Sequence, residues 1–368
     1  MYHIDTSIDA ILQQVHQLKI REGESAMLLF GEASQVDIPQ LIERLTQEGI
    51  SFFGGLFPGI IHGTQNHNAG YLLQKLQLAH PPIVVKNIDK DVIELPDIPT
   101  RTDAKNTVLT FVDGLTANIS GYLQQLYHHF GDSANFLGGG AGSLSLVQQA
   151  CVFTAEGFFQ DAAIVCLLDL HVSLGVRHGW KQLAGPIVAT RTSKNTIYEL
   201  NWTNAFEVYR ETVEADAGQQ FTDENFFDIA KGYPFGIFKE IGEDIVRDPI
   251  AVGKNGELIC VGEVPENTVL YILKGENQTL IHSAGQATAS CLDKAANDIQ
   301  HIFVVDCISR TLFLEDEFNQ ELQAIHRLLP NSQTENRLQG VLSLGEISSD
   351  GDGFLEFFNK TLVVGALY

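Results

Sequence analysis

Long apolar runs are missing from this sequence, and none approaches the ~18 residues that a membrane-spanning helix requires. The opening residues, Met1-Tyr2-His3-Ile4-Asp5, do not place an apolar stretch behind a basic one, so no signal peptide is expected. Cysteine is scarce. The five present (Cys151, Cys166, Cys260, Cys291, Cys307) stand singly in apolar stretches. That pattern fits reduced core thiols in a cytoplasmic protein, not a disulfide framework. Positive charge is short too: 23 Lys and Arg face 46 Asp and Glu, for a net charge of −23. Such a field repels phosphate backbones and anionic lipid, so neither nucleic acid nor a membrane is expected as a partner. A cationic or zwitterionic ligand or a basic protein surface is compatible with it, and solubility alone would also explain it.

What is present is a pattern spelled three times. Ala26–Phe30 is an apolar strand followed by a helix and by Phe53-Gly54-Gly55-Leu56-Phe57-Pro58-Gly59. Thr107–Val112 leads to a helix ending at Phe130 and then to Gly138-Gly139-Gly140-Ala141-Gly142-Ser143. Ile302–Val305 leads to a helix ending near Leu329 and then to Gly340-Val341-Leu342-Ser343-Leu344-Gly345-Glu346. Each copy runs on into one or two further strands. Strand, helix, glycine turn and strand-strand, repeated at irregular spacing, describes neither a solenoid nor a propeller. With 44% apolar residues in 368, the chain has enough core for two domains.

The helices read as amphipathic covers for sheets. The first opens at Ser7 with Ile8, Ile11, Leu12 and Val15 on one face. Asp37 and Gln40 cap the second, which Gly49 closes; Gly131 ends the third. Phe318, Leu322, Ile325 and Leu329 form the last stripe, which Pro330 is expected to stop. Continuously apolar strands such as Ala162–Leu168 imply burial on both faces. The polar segment 86–106 reads as an internal excursion. The acidic segment 211–232 reads as irregular and separates two halves, 1–213 and 214–368. The expected class is α+β, with mixed β-sheets covered by helices.

Among chemistry-bearing groups, the Gly138–Ser143 run is either a structural turn or a cradle whose N–H groups meet an anion. It is not a Walker loop, since no Gly-Lys-Ser/Thr follows. It does not match the dinucleotide fingerprint either, because Leu144-Ser145-Leu146-Val147 reads as a strand. His62 and His67 lack a Cys, Asp or Glu close by to complete a metal set. No metal or cofactor is expected. Cys307 has no histidine near it in sequence to act as base, so a nucleophilic role is the lesser reading. Arg310, at a strand end, is better suited to a carboxylate. Asn359 most simply makes a hairpin, and Trp180 fits either core or a cleft wall.

In order along the chain, several segments together resemble the FIST family, a two-part sensory module of signalling proteins. They are Gly138-Gly139-Gly140-Ala141-Gly142, His178-Gly179-Trp180 with Thr190, Ala205-Phe206-Glu207-Val208-Tyr209 and Tyr233-Pro234-Phe235-Gly236. Arg247, Gly262-Glu263-Val264-Pro265, Cys307-Ile308-Ser309-Arg310, Gly345-Glu346-Ile347 and Asn359-Lys360-Thr361 complete the set. The resemblance implies a small-molecule sensor with an amino acid or derivative as ligand, and no catalytic set. The expected site comprises Gly139, Ala141, Gly142 and Ser143, with Asp113, Arg310 and Glu346 as charged orienting groups. A separate signalling output protein is the expected partner, and a homo-oligomer or an acidic interaction scaffold remains an alternative.

Overall fold

The computed structural model describes residues 1–101, 105–239, 243–296, 298–329, 338–349 and 355–368. The first unit runs through β1 (Tyr2–His3), α1 (Ile8–Leu18), β2 (Glu24–Gly31), α2 (Ile38–Gln47), β3 (Phe52–Phe57), β4 (Gly59–His62), β5 (Gln65–His67) and β6 (Tyr71–Gln77). The second contains β7 (Ile83–Lys86), β8 (Asn106–Asp113), α3 (Ile119–Phe130), β9 (Ala134–Ala141), β10 (Val152–Thr154), β11 (Gly157–Phe159) and β12 (Ala162–Leu168). The third opens with β13 (Val172–Arg177) and is then interrupted. The inserted part holds β14 (Lys181–Ser193), β15 (Thr196–Leu200), β16 (Thr203–Asn204), α4 (Ala205–Ala217), α5 (Phe226–Ala230), β17 (Phe235–Ile237), β18 (Ile245–Val252), β19 (Leu258–Val261) and β20 (Thr268–Lys274). The unit resumes with α6 (Asn277–Lys294), β21 (His301–Cys307), α7 (Ile308–Leu314), α8 (Phe318–His326), β22 (Leu338–Ser343), β23 (Glu346–Ser349), β24 (Glu356–Phe358) and β25 (Leu362–Leu367).

The threefold pattern in the sequence is a threefold pattern in space. In each unit the strand before the helix and the strand after it pair in parallel: β2 with β3, β8 with β9, β21 with β22. The last strand returns antiparallel to the first: β6 on β2, β12 on β8, β25 on β21. Between these, each unit sends a short hairpin to a neighbour. β4 pairs with β22, β10 with β3, and β23 with β9, which closes the exchange in a ring. Three six-stranded sheets result. Their inner faces share one core to which Met27, Phe53, Phe111, Leu137, Phe303 and Val341 contribute. On the outer faces α1 and α2 cover the first sheet, α3 the second, and α6 and α8 the third. Among the described residues the second unit has no counterpart of α1. Segment 87–101 lies there instead and buries Ile88, Ile93 and Ile98 against α3. Pro96 and Pro99 keep that excursion from becoming a helix.

The expected α+β class with mixed sheets is therefore observed, and the expected caps of α1, α2 and α3 are in place at Ser7, Asp37 and Gly131. Pro330 lies outside the described residues. Segment 211–232 is more regular than expected, because Asn204 caps α4 and Gly218, in the left-handed region, ends it. The boundary expected at 213/214 falls inside α4, and residues on both sides of it share the second and third sheets.

The glycine segments are strands rather than turns. Gly54, Gly138 and Gly340 stand directly opposite Leu28, Thr110 and Val304 in the three parallel pairs. A Cβ on each would sit 1.9, 1.8 and 2.1 Å from the facing carbonyl oxygen. Glycine is thus what lets the two strands approach, at the same place in all three units. Leu144–Val147, read as a strand, is an exposed loop, since Gly142 (φ +137°) turns the chain out of one sheet on its way to the next.

Candidate functional site

Where the inserted sheet meets the second and third units, a cleft of about 520 Å³ opens. Its wall comes from strand ends and the links behind them. Gly114, Leu115 and Thr116 follow β8; Cys307, Ile308 and Ser309 join β21 to α7; Leu344 follows β22; and Asn359 lies between β24 and β25. Asp248 and Ile250 on β18, Cys260 and Val261 on β19, and Phe227 on α5 supply the opposite side.

Two residues of this wall each carry a buried polar atom without a hydrogen-bond partner: Asn359 Nδ2 and Asp248 Oδ1. The amide is held in one orientation, because Arg247 Nη1 donates to Asn359 Oδ1 at 3.1 Å, which leaves the Nδ2 donor free. The other oxygen of Asp248 pairs with Lys360 Nζ at 3.0 Å, both side chains being almost wholly buried. Burial pushes the Asp248 carboxyl up, and the Lys360 ammonium and the Ser309 hydroxyl oppose that rise. Lys360 also donates to the Lys231 carbonyl and stands 4.8 Å over the Trp180 ring, whose Nε1 donates to the Lys360 carbonyl. Trp180 is thus core, packed against Phe313. Leaving a buried donor and a buried acceptor unmatched costs about 1–3 kcal/mol each.

None of the seven residues expected to form the site lines the cleft, although Gly114, Leu144 and Ser309, next to Asp113, Ser143 and Arg310, do. Arg310 is fully buried, and its five donors are all used inside the protein. Nε and Nη2 grip both oxygens of Glu321, at 2.9 and 2.7 Å. The remaining bonds go to the carbonyls of His178, Lys360 and Leu280. No donor remains for a ligand carboxylate. Asp113 is buried and accepts from Leu115 N, Asp161 N and Gln148 Nε2, shaping the loop behind β8. Glu346 is buried and accepts from Ser343 Oγ and Thr361 N. Gly139 packs against Val305 and Ser343, and Ala141 is buried in the shared core. The Gly142 N–H donates to the Leu56 carbonyl and the Ser143 hydroxyl to Ser145, so the Gly138–Ser143 run offers no cradle of free N–H groups. Asp113 ends β8 with Gly114 just beyond it, and Ser309 and Arg310 are neighbours on α7, where successive residues point to different sides of the helix.

Asp248 escaped sequence reasoning, although Arg247-Asp248 is a charged pair in the middle of an otherwise apolar strand. Asn359 was read as a hairpin residue. It instead carries the chain from β24 in the second sheet to β25 in the third.

Behind the cleft the carboxylates crowd together. Burial raises Glu346 to about 8, and burial and then Glu321 push Asp306 up despite Arg310 beside it. Burial likewise pushes up the Cys307 thiol, which disfavours the nucleophilic thiolate. His178 is held down to about 4, first by burial and then by Arg310 and Arg177, so it is neutral at pH 7 next to Glu243. Because Glu346 is raised in the fold, its stabilising share is complete below about 4.5. It is lost as pH climbs through 8. Against a Glu346→Gln variant, the wild type should therefore lose up to about 1.4 kcal/mol per pH unit between pH 5 and 8. His178 and the α-amino group titrate in both proteins and cancel. Urea unfolding of the pair across that range tests this, and a gap constant with pH would show Glu346 ionised in the native state.

Among the described residues no helix is long and apolar enough to cross a membrane, and no cluster of His, Cys, Asp or Glu has metal-holding geometry. No curated protein sequence matches the chain. Two family models do: the FIST N domain over residues 25–203 and the FIST C domain over residues 205–349. FIST domains are associated with sensory signal transduction and small-ligand binding. The two models meet at Asn204, the cap of α4, and the cleft draws residues from both matched segments. With both domains present in order along most of its length, the chain belongs to the FIST family.

Proposed function

We propose that this protein is a cytoplasmic sensor that binds an amino acid or a close derivative in the cleft, without chemically changing it. The observation that carries this reading is the pair of unmatched buried groups, Asn359 Nδ2 and Asp248 Oδ1. A zwitterion supplies both complements, a carboxylate oxygen for the amide and an ammonium for the acid. Arg310 plays no direct part. It holds the α7 end of the cleft, as Glu346 and Asp113 hold the neighbouring loops. The five cysteines, all buried and unpaired, suit a reducing compartment. The output passes to a separate signalling protein or through a second copy of the chain.

Calorimetric titration with the twenty amino acids and their amines and acids tests the reading. At least one should bind and raise the melting temperature. Saturation at a hundred times Kd adds about 2.7 kcal/mol of stability. Asn359→Ala should weaken that ligand about ten- to a hundredfold, the value of a charge-assisted bond. Native circular dichroism of the variant would show that the fold is kept. A ligand held with unchanged Kd by Asn359→Ala would remove the cleft from the assignment.

A further inference from the structure

The unmatched polar groups occupy a small part of the cleft wall, and most of the rest is apolar: Leu115, Ile250, Val261, Ile308, Leu312 and Leu344. At the mouth, three large hydrophobic side chains are left in water. Leu144 is 38% exposed, Leu146 56% and Phe227 36%. They come from two separate parts of the fold. Leu144 and Leu146 sit on the loop leaving β9, and Phe227 is on α5 of the inserted sheet, yet all three line the same cleft. Single exposed apolar residues need no explanation, but three that share one opening above an apolar wall form a patch. The loop carrying two of them is held in place. Glu32 accepts from the Leu144 N–H at 2.8 Å, the Ser143 and Ser145 hydroxyls bond each other, and Leu146 adopts a left-handed φ of 54°. A branched side chain in that region costs energy, so the loop's shape is imposed by its anchors.

We propose that the ligand carries an apolar arm of several carbons, seated on the aliphatic wall beneath Leu144, Leu146 and Phe227, with its polar head at Asn359 and Asp248. This rests on the cleft being the binding site, and it narrows the ligand class from amino acids in general to amphipathic ones. Small polar molecules satisfy the head groups but leave the wall and the lip wet. A linear or aromatic arm covers both and removes the apolar surface from water. The selectivity then resides in the arm, since each additional methylene buried on such a wall tightens binding by about fourfold.

The test is a set of calorimetric titrations with three homologous series that differ only in the head: linear α-amino acids from alanine to norleucine, n-alkylamines, and n-alkyl carboxylates. Serine, glutamine, lysine and glutamate serve as polar arms of comparable length. The expected result is a Kd that falls about fourfold per carbon in the series whose head fits, with the polar arms at least tenfold weaker than norleucine. Leu146→Ala and Phe227→Ala, both at exposed positions, should flatten that dependence, norleucine losing more affinity than alanine. If serine or glutamate binds as tightly as norleucine, the apolar arm is refuted while the amino-acid site stands. If alkylamines or carboxylates show the length dependence and amino acids do not bind, the arm stands and the zwitterionic head is refuted. If no series binds, both are overturned.

Discussion

Arg310→Ala is expected to cost about 3–5 kcal/mol of stability, a large share of the 5–15 kcal/mol that a protein of this kind possesses. The reason lies in what the guanidinium leaves behind. Glu321 and Asp306 are fully buried, and Arg310 is the cation against them, at 2.7 Å and 3.4 Å. Three carbonyls on otherwise separate segments, those of His178, Leu280 and Lys360, lose a donor at the same time. The side chain thus ties α7 to α6, to α8, to the start of the inserted sheet and to the link between β24 and β25. Denaturant unfolding should show a midpoint shifted strongly downward, or no folded population at all. Arg310→Lys should recover only part of the loss, because one ammonium cannot reproduce a two-pronged grip on Glu321 together with three carbonyl bonds. A variant that keeps wild-type stability and merely fails to bind a ligand would return Arg310 to the ligand's side of the wall. Removing Arg310 and Glu321 together, as Arg310→Met with Glu321→Leu, should be less damaging than Arg310→Ala, since the uncompensated charge is then reduced.

The threefold repeat was legible because it is written in two local signals, apolar strands and amphipathic helices, at recurring positions. Its consequence in space was not. Exchange of β4, β10 and β23 among the three sheets depends on pairings between residues tens to hundreds of positions apart, such as Gly340 with Ile61 and Glu346 with Gly139. No local propensity encodes these. The inserted sheet was hidden for a related reason, since β13 belongs with β25 although the whole insertion lies between them. The site was missed by a residue or two at a time. Gly114 and Ser309 line the cleft, whereas Asp113 and Arg310 next to them serve the interior, and Leu344 lines it two positions from the buried Glu346. Charge type drew attention to Arg310 and Glu346, yet both are spent on internal partners. What distinguishes Asn359 and Asp248 is a missing partner, and that property exists only in three dimensions.

Gly138→Ala should be about as damaging as loss of Arg310, for a reason that has nothing to do with ligand contact. The added methyl would lie 1.8 Å from the Thr110 carbonyl oxygen and 3.0 Å from its Cγ2. The first of these is far inside van der Waals contact, and the obstacle is backbone in the middle of a parallel pair. No rotamer change relieves it. β8 and β9 must separate at Thr110–Gly138, where each strand is also bound on its other side, β8 to β12 and β9 to β23. Parting them breaks ladder hydrogen bonds at about 1 kcal/mol each and opens the shared core beside Leu109 and Leu137, so a total above about 3 kcal/mol is expected. Gly54→Ala and Gly340→Ala should behave alike, because the same contact recurs at 1.9 and 2.1 Å in the other two units. Gly49→Ala is the control. Its φ of +68° strains an alanine, but nothing lies within 4 Å of the new methyl, so the cost should stay near 1 kcal/mol. Unfolding midpoints of the four variants would order the effects. Three near-equal large losses beside one small one would show that the glycines exist for strand approach, and a mild Gly138→Ala would mean that the parallel pair yields more readily than its neighbours on both sides allow.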